Sequence, residues 1–250
     1  MNRILFEKDE CGPDGGRIFL ADSDRRAVHV RKVLRAHAGD RLRVGLVNGS
    51  AGSAEIVSDA PGGIVLDAAF GECAPEPWLD IILAMPRPKV MHRLWADLAA
   101  IGYGRIFIVN AAKVEKFYFD SHWLGESTWR PLLVEGLEQS GATRLPEVHV
   151  RRALRPFVED EVPVLFQDAP KWIAHPRLAD APPRACQPQA GTARPVVAVG
   201  PEGGWTEFEL GLFLAAGFRP LSLGDRALRT DTACMAIAGA LIGAAAANPS

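Results

Sequence analysis

Two stretches of this chain hold residue types that can do chemistry together: Gly200-Pro201-Glu202-Gly203-Gly204, and Leu223-Gly224-Asp225-Arg226-Ala227-Leu228-Arg229-Thr230-Asp231-Thr232. In the first, Gly203 and Gly204 let the backbone approach a ligand closely or take positive φ, and the Glu202 carboxylate can accept hydrogen bonds from an amine or hydroxyl. The stretch lacks the lysine and Ser/Thr of a phosphate-cradling P-loop, and it is not the GxGxxG of a dinucleotide site, which argues against phosphoryl transfer. In the second, Arg226 and Arg229 suit contact with an anion or carboxylate; the competing reading pairs both with surface acids. Thr206 and Glu209 also spell a capping box, and Thr230 or Asp231 can cap a helix, so both loops have structural work as well. No GxSxG elbow or HExxH helix occurs, and the six histidines are scattered. Chemistry carried by a bound cofactor or cosubstrate therefore suits the chain better than a protein nucleophile.

The elements around these loops are legible from periodicity. A β-rich run at 196–199 empties into the first loop and a helical pattern follows from Thr206. A short strand at 219–223 empties into the second loop, and a final helix follows from Asp231. In a parallel α/β sheet, such loops lie side by side at the carboxyl edge, where ligands bind. Upstream, strands at 78–84, 105–110, 148–150 and 164–167 alternate with helices at 89–101, 128–140 and 155–161, which predicts a sheet covered on both faces. Residues 169–194, rich in proline and without period, read as a long irregular connection. In the last helix Gly239 and Gly243, with Ala236, Ala240 and Ala247 on nearby turns, make a small-residue face for close packing on the chain's own sheet or on a second subunit.

Residues 1–70 have another texture: short strands at 3–6, 17–20, 41–46, 54–57 and 64–66, punctuated by turn signals at 12–16, 48–50 and 61–63, with one helix-like segment at 24–36. A small β-barrel carrying one helix fits, and 71–77, with two prolines, reads as a linker. Between Arg25 and Arg43 stand seven basic residues, Arg25, Arg26, Arg31, Lys32, Arg35, Arg41 and Arg43, against one acid, Asp40, with His29 and His37 among them. This run suits phosphate-backbone contact, or simply a solvated helix face.

Composition bounds the rest. Of 250 residues 48% are hydrophobic and 23% charged, which predicts a full core and excludes wholesale disorder. A net charge of −2 exerts no global pull on nucleic acid, so any such attraction is local. Cys11, Cys73, Cys186 and Cys234 form no CxxC pair and read as free thiols of a reducing compartment, not a disulfide frame or metal site. The acidic, weakly apolar N-terminus reads as no signal peptide, and 233–247 is too short to span a bilayer, so a cytoplasmic protein with no membrane segment and no metal is expected.

GPEGGWTEFEL followed by LGDRALRTDTACMA resembles the RsmE family of the SPOUT superfamily, S-adenosylmethionine-dependent methyltransferases that act on N3 of a uridine in 16S ribosomal RNA. The matching positions are Gly200 to Gly204, Leu223, Gly224, Arg226, Leu228, Arg229, Thr230, Asp231, Thr232 and Ala233. His29 through Arg35, then Gly39-Asp40, resembles the family's stretch in a PUA-like RNA-binding barrel, and Glu138-Gln139-Ser140-Gly141 with Leu145-Pro146-Glu147 is similar to a further family segment. The chain departs from the pattern at Asp97, Ala100 and Ala142.

The resemblance implies an α/β protein with a PUA-like β-barrel over residues 1–72, and a SPOUT α/β domain over 77–250 that ends in a trefoil knot and forms a homodimer. It implies S-adenosylmethionine held by Val199, Gly200, Pro201, Glu202, Gly203, Leu223, Gly224, Ala227, Leu228 and Arg229. RNA of the small ribosomal subunit would be held by Arg25, Arg26, His29, Arg31, Lys32 and Arg35. Arg229 or Arg226 would supply positive charge to the uracil oxygens, with Glu202 organising the pocket. Two other readings keep part of this: a non-catalytic RNA-binding protein derived from a methyltransferase, and a methyltransferase of the same fold acting on a different RNA nucleotide.

Overall fold

The computed structural model describes residues 2–12, 16–175 and 193–246. The turn signal at 13–15, most of the proline-rich connection, Cys186 and Ala247 lie outside the described residues. The chain folds as two compact units, Met1–Glu76 with Val134–Leu145, and Pro77–Leu133 with Pro146–Ser250.

The first unit is a curled five-stranded sheet. Its strands are β1 (Ile4–Phe6), β2 (Arg17–Ala21), β3 (Arg41–Leu46), β4 (Ala51–Ala60) and β5 (Gly63–Glu72), in the order β1-β3-β4-β5-β2. All pairs are antiparallel except β1 with β3. Period-two alternation sends Ile18, Leu20, Val44, Ile56, Ile64 and Leu66 inward and the charged residues outward. The apolar face is covered by α1 (Arg25–His29), which begins where the Asp24 carboxylate accepts the Arg26 N–H at 2.7 Å, and which packs Ala27 inward. The helix runs on as a π-helical turn, Val30–Leu34, shorter than the segment expected at 24–36. Asn48 takes φ 57° in the turn after β3, as its pairing with Gly49 suggests. The short strands expected at 54–57 and 64–66 are ten residues each, because ladder pairing continues through positions whose side chains are polar and face out.

At the bulge between Ala51 and Gly52 the two long strands come unusually close. A Cβ on Gly52 would collide with the backbone carbonyl of Ala69, which cannot swing aside as a side chain would. Gly52→Ala is expected to destabilise the unit by about 3 kcal/mol or more, as overpacking against a fixed backbone does. A urea midpoint unchanged from the parent protein would refute this.

The second unit is a six-stranded, wholly parallel sheet. Along the chain come β6 (Leu79–Ala84), α2 (Pro88–Ile101), β7 (Tyr103–Val109), α3 (Glu126–Ser140), which belongs to this unit only as far as Leu133, and β8 (Glu147–Arg151). Next are α4 (Leu154–Pro156), a π-helical stretch (Phe157–Glu161), α5 (Val162–Leu165), β9 (Lys171–Ala174) and β10 (Val196–Val199). The last three are α6 (Glu207–Ala215), β11 (Arg219–Leu221) and α7 (Thr230–Ala246). The strand order is β11-β9-β10-β6-β7-β8. The two strands nearest the middle, β10 and β6, are buried at every position, as a sheet covered on both faces requires.

Two expectations fail here. Residues 164–167 are not a strand: Pro163, with its fixed φ, starts the helical turn α5, which leaves Val164 76% exposed while Val162 packs inward. Part of the supposed irregular connection is β9, between β10 and β11. Four residues, two of them fully packed (Trp172 and Ile173), are too few to show a period. The carboxyl-end loops of β10 and β11 are thus separated by a strand and do not stem from adjacent ones.

Candidate functional site

Four strand ends converge at the carboxyl edge of the parallel sheet around one cavity of about 370 Å³, a size suited to a small organic ligand. The loop after β10 supplies Gly200 to Trp205, and the loop after β11 supplies Leu223, Gly224, Arg226, Ala227 and Leu228. The end of β9 gives Ala174 and His175, and the loop after β7 gives Lys113. Val199, Leu221 and Ile237 furnish apolar walls.

The first loop is held from three sides. The Arg87 N–H, at the start of α2, donates to Glu202 Oε1 at 3.1 Å. Lys113 Nζ donates to the Gly203 carbonyl at 2.8 Å. Gly204, at φ 70°, closes a turn in which its N–H donates to Pro201 O at 2.8 Å. Beyond it the capping box forms as expected: the Thr206 N–H donates to Glu209 Oε2 at 2.8 Å, and Thr206 Oγ1 accepts from the Glu209 N–H at 3.3 Å. Glu209, only 4% exposed, also accepts the Ala112 N–H at 2.7 Å, which ties the β7 loop to the same helix start. A Cβ on Gly200 would stand 3.1–3.2 Å from the Trp205 indole, so glycine there lets that ring close the cavity wall. Trp205 is buried, and its Nε1–H has no partner among the described residues.

The second loop turns at Gly224, φ 100°. Arg226 and Arg229 are both exposed and make no ion pair among the described residues, so the surface-pairing reading fails for each. Their positions differ. Arg226 lines the cavity and Arg229 does not; the Arg229 carbonyl accepts the first bond of α7 from Ala233 N at 2.8 Å. The positive charge of Arg229 falls on Asp231, whose carboxylate also receives Arg93 Nη2 at 3.2 Å. Burial presses the Asp231 carboxyl upward, yet the Thr232 N–H and the Arg93 guanidinium hold it below the usual aspartate range. Asp97, one turn along α2, is raised by burial and then by the charge of Asp231. Cys234 on α7 is fully buried, and that burial pushes its thiol far up, which rules it out as a thiolate nucleophile.

Nine of the ten residues expected around the cosubstrate thus line one cavity: Val199, Gly200, Pro201, Glu202, Gly203, Leu223, Gly224, Ala227 and Leu228. Sequence reasoning missed Lys113, Ala174, His175 and Trp205. The first three come from segments without a motif; Trp205 stands directly after Gly204 and was readable as a wall residue. The cavity fits a ligand with an apolar ring and polar groups: it offers hydrophobic walls, glycine backbone, one guanidinium and an unused indole donor.

The expected RNA contacts, in the first unit, do not behave alike. Arg25 Nη2 pairs with Glu138 at 2.8 Å, Arg26 with Asp24 at 2.7 Å and with Glu10, and Arg31 with Asp22 and Asp59, each at 2.6 Å. His29 is half-buried, its Nε2 has no partner, and burial lowers its pKa, so it is neutral near pH 7. Of these only Lys32 and Arg35 stand exposed with no side-chain hydrogen bond or ion pair among the described residues. No group of histidines, cysteines and acids fit to hold a metal occurs among the described residues, and no described helix is long and apolar enough to cross a membrane.

The family model for an RNA methyltransferase domain matches residues 74–242. The ribosomal RNA small subunit methyltransferase E of Treponema pallidum is 32% identical over 94% of this chain and 88% of its own length. A Legionella pneumophila protein solved with bound SAM superposes with a TM-score of 0.68 at 26% identity, covering 98% of this chain and 97% of that one. A ribosomal RNA small subunit methyltransferase E from Neisseria gonorrhoeae shares the fold at 21% identity, with a TM-score of 0.70 over 97% of both chains.

Proposed function

Because the chain belongs to the RsmE family of RNA methyltransferases, we propose that it methylates N3 of a uridine in 16S ribosomal RNA, using S-adenosylmethionine held in the cavity of the second unit. The observation that carries this reading is the cavity itself, where the two glycine-bearing loops singled out in the sequence meet. The Legionella relative, with SAM bound, supports the same cosubstrate here.

Bound S-adenosylmethionine supplies an electrophilic methyl group. The chain's own part is positioning and charge. Gly200 to Gly204 present backbone to the ligand, and Glu202, held on the Arg87 N–H, keeps that loop in place rather than acting as a base. The uridine N3 proton would pass to water, leaving negative charge on the uracil oxygens and N3. N3 would then take the methyl as the sulfonium C–S bond breaks, and S-adenosylhomocysteine would leave. The Arg226 guanidinium, on the cavity wall, stabilises the negative charge as it develops.

The finer features of the family complete the reading: the curled sheet of the first unit is a PUA-like barrel that holds RNA, the second unit carries the trefoil knot, and the protein is a cytoplasmic homodimer. Free Cys11, Cys73 and Cys234 suit a reducing compartment. A dimer interface is supported by apolar side chains left in solvent on α6 and α7, namely Phe208 at 61%, Leu214 at 42% and Ile242 at 46% exposure. The small-residue face of α7 supports it too: Cys234, Ile237, Ala238 and Leu241 form the buried face, whereas a Cβ on Gly239 would meet nothing within 4 Å. A monomer mass by light scattering would overturn the dimer.

Calorimetric titration with S-adenosylmethionine is expected to show saturable binding that Gly203→Arg abolishes. The atoms nearest a Cβ at 203 belong to the Lys113 side chain, at 3.0–3.7 Å, so the variant should displace that side chain and put its own into the cavity, and a melting midpoint near the parent's is the control. Small subunits from a strain lacking the protein should then accept one methyl group, located by mass spectrometry on N3 of a uridine. No binding heat at two temperatures would favour the non-catalytic reading, and a methyl on another nucleotide would favour the other-target reading.

A further inference from the structure

Resting on the RNA-substrate reading above, we infer that the first unit carries a phosphodiester-binding pocket built by Arg35, Arg41 and Arg43, and that RNA seats there rather than along α1. The basic run from Arg25 to Arg43 divides by what each guanidinium already holds. Arg26 bonds Asp24 and Glu10 and lies 4.9 Å over the Phe6 ring; Arg31 spans Asp22 and Asp59; Arg25 meets Glu138, which is 1% exposed. An arginine fork already filled by carboxylates has few donors left for phosphate, and freeing it leaves acids unpaired. Arg26 and Arg31 are thus committed to the unit's own carboxylates, whereas Arg25, 58% exposed, is anchored only by its single bond to Glu138.

Arg35, Arg41 and Arg43 are in the opposite condition. All three are exposed, and among the described residues no side chain of the three makes a hydrogen bond or ion pair. They line a single cavity of about 390 Å³. Arg3 lines it too; its guanidinium donates to the carbonyls of Gly141 at 3.0 Å and Val44 at 2.7 Å, so it is fixed in place with no carboxylate to neutralise it. The one acid in the lining, Asp40, is occupied with the His37 N–H at 2.7 Å. Glu55 stands opposite Arg41 in the ladder, with no ion pair between them.

Alternation along β3 puts Arg41 and Arg43 on one face, about 6.5–7 Å apart along the strand, on the order of the separation of successive phosphates in an extended strand. Arg35 reaches the same cavity by an unusual route. It ends the π-helical turn at φ 52°, ψ 38°, a left-handed conformation that a residue with a Cβ adopts at a cost. The bend tucks Ala36 into the core and leaves Arg35 itself in solvent. Glycine would make this turn more easily, so an arginine there points to a use for its side chain. Four guanidiniums without a carboxylate partner around one hollow suit a polyanion whose phosphates follow one another along a chain.

The test is fluorescence anisotropy of a labelled small-subunit RNA fragment over a salt series, with S-adenosylmethionine affinity measured on the same samples. Arg41→Ala/Arg43→Ala is expected to bind the RNA about tenfold more weakly or worse. The slope of log K against log salt should fall by about 1.4, roughly 0.7 for each single-strand phosphate that is no longer neutralised. Arg35→Gly is expected to bind several-fold more weakly while melting no lower than the parent protein, an outcome that misfolding cannot mimic. Arg41→Ala/Arg43→Ala and Arg35→Gly variants that match the parent in RNA affinity and salt slope overturn the proposal while leaving the methyltransferase reading intact. A parent protein that fails to bind S-adenosylmethionine overturns that reading instead.

Discussion

Arg226→Ala is expected to slow methyl transfer about 10²–10³-fold, the effect of removing one preorganised group that stabilises developing negative charge. The expectation rests on placement. Arg226 lines the cavity and makes no ion pair or side-chain hydrogen bond among the described residues, so its guanidinium is available to the proposed substrate base at no cost in broken bonds. Arg229, three residues on, stands outside the cavity with its charge directed to Asp231, and Arg229→Ala should cost tenfold or less. Single-turnover rates, with cosubstrate affinity measured separately, decide the matter. If Arg226 instead holds the cosubstrate's carboxylate, Arg226→Ala will raise the cosubstrate Kd and leave the saturated rate near normal. If Arg229→Ala is the slower variant, the two roles are exchanged. Arg226→Lys should recover only part of the rate, because an ammonium cannot offer the guanidinium's planar pair of donors.

That distinction between two arginines was not legible in the sequence. Both sit in the same motif, and only the path of the chain after Gly224 turns one toward the cavity and starts a helix at the other. The loops themselves were legible because their demands are local: positive φ, allowed for at Gly203 and Gly204 and found at Gly204, and the Thr206–Glu209 box are written in single residues. The long helices were legible for the same reason, and 89–101 differs from α2 by one residue. What escaped notice is what depends on distant partners. The strand β9 is four residues long and exists because β10 and β11 pair with it on either side, so Ala174 and His175 could not be assigned to the cavity. In the first unit, charge counting treated Arg25, Arg26 and Arg31 like Arg35. Their acids, at positions 10, 22, 59 and 138, are scattered along the chain and meet them only in the fold.

Asp80→Ala is expected to destabilise the second unit by about 3–5 kcal/mol, the usual consequence of stranding a partner of a buried ion pair. Asp80 is fully buried on β6, and both its oxygens are used. Oδ1 accepts the Arg105 N–H at 2.8 Å, and Oδ2 accepts Arg105 Nε at 2.9 Å and Nη2 at 2.7 Å. Arg194 approaches from the other side at 3.4 Å, and the Arg105 guanidinium lies 4.7 Å over the Phe166 ring. Removing the carboxylate therefore leaves a positive charge wedged against aromatic rings and one strand's amide without its acceptor. For a unit of this size the melting midpoint should fall on the order of 10 °C. Asp80→Asn, which keeps the shape and one acceptor, should fall about half as far. The cavity lies at the carboxyl ends of the strands, whereas Asp80 is the second residue of β6, at the other end. Below its melting transition, Asp80→Ala should therefore bind S-adenosylmethionine as tightly as the parent protein. A large loss of affinity in the folded variant would show that the sheet passes strain from this ion pair to the loops, and would remove the separation between scaffold and site on which the Arg226 argument depends.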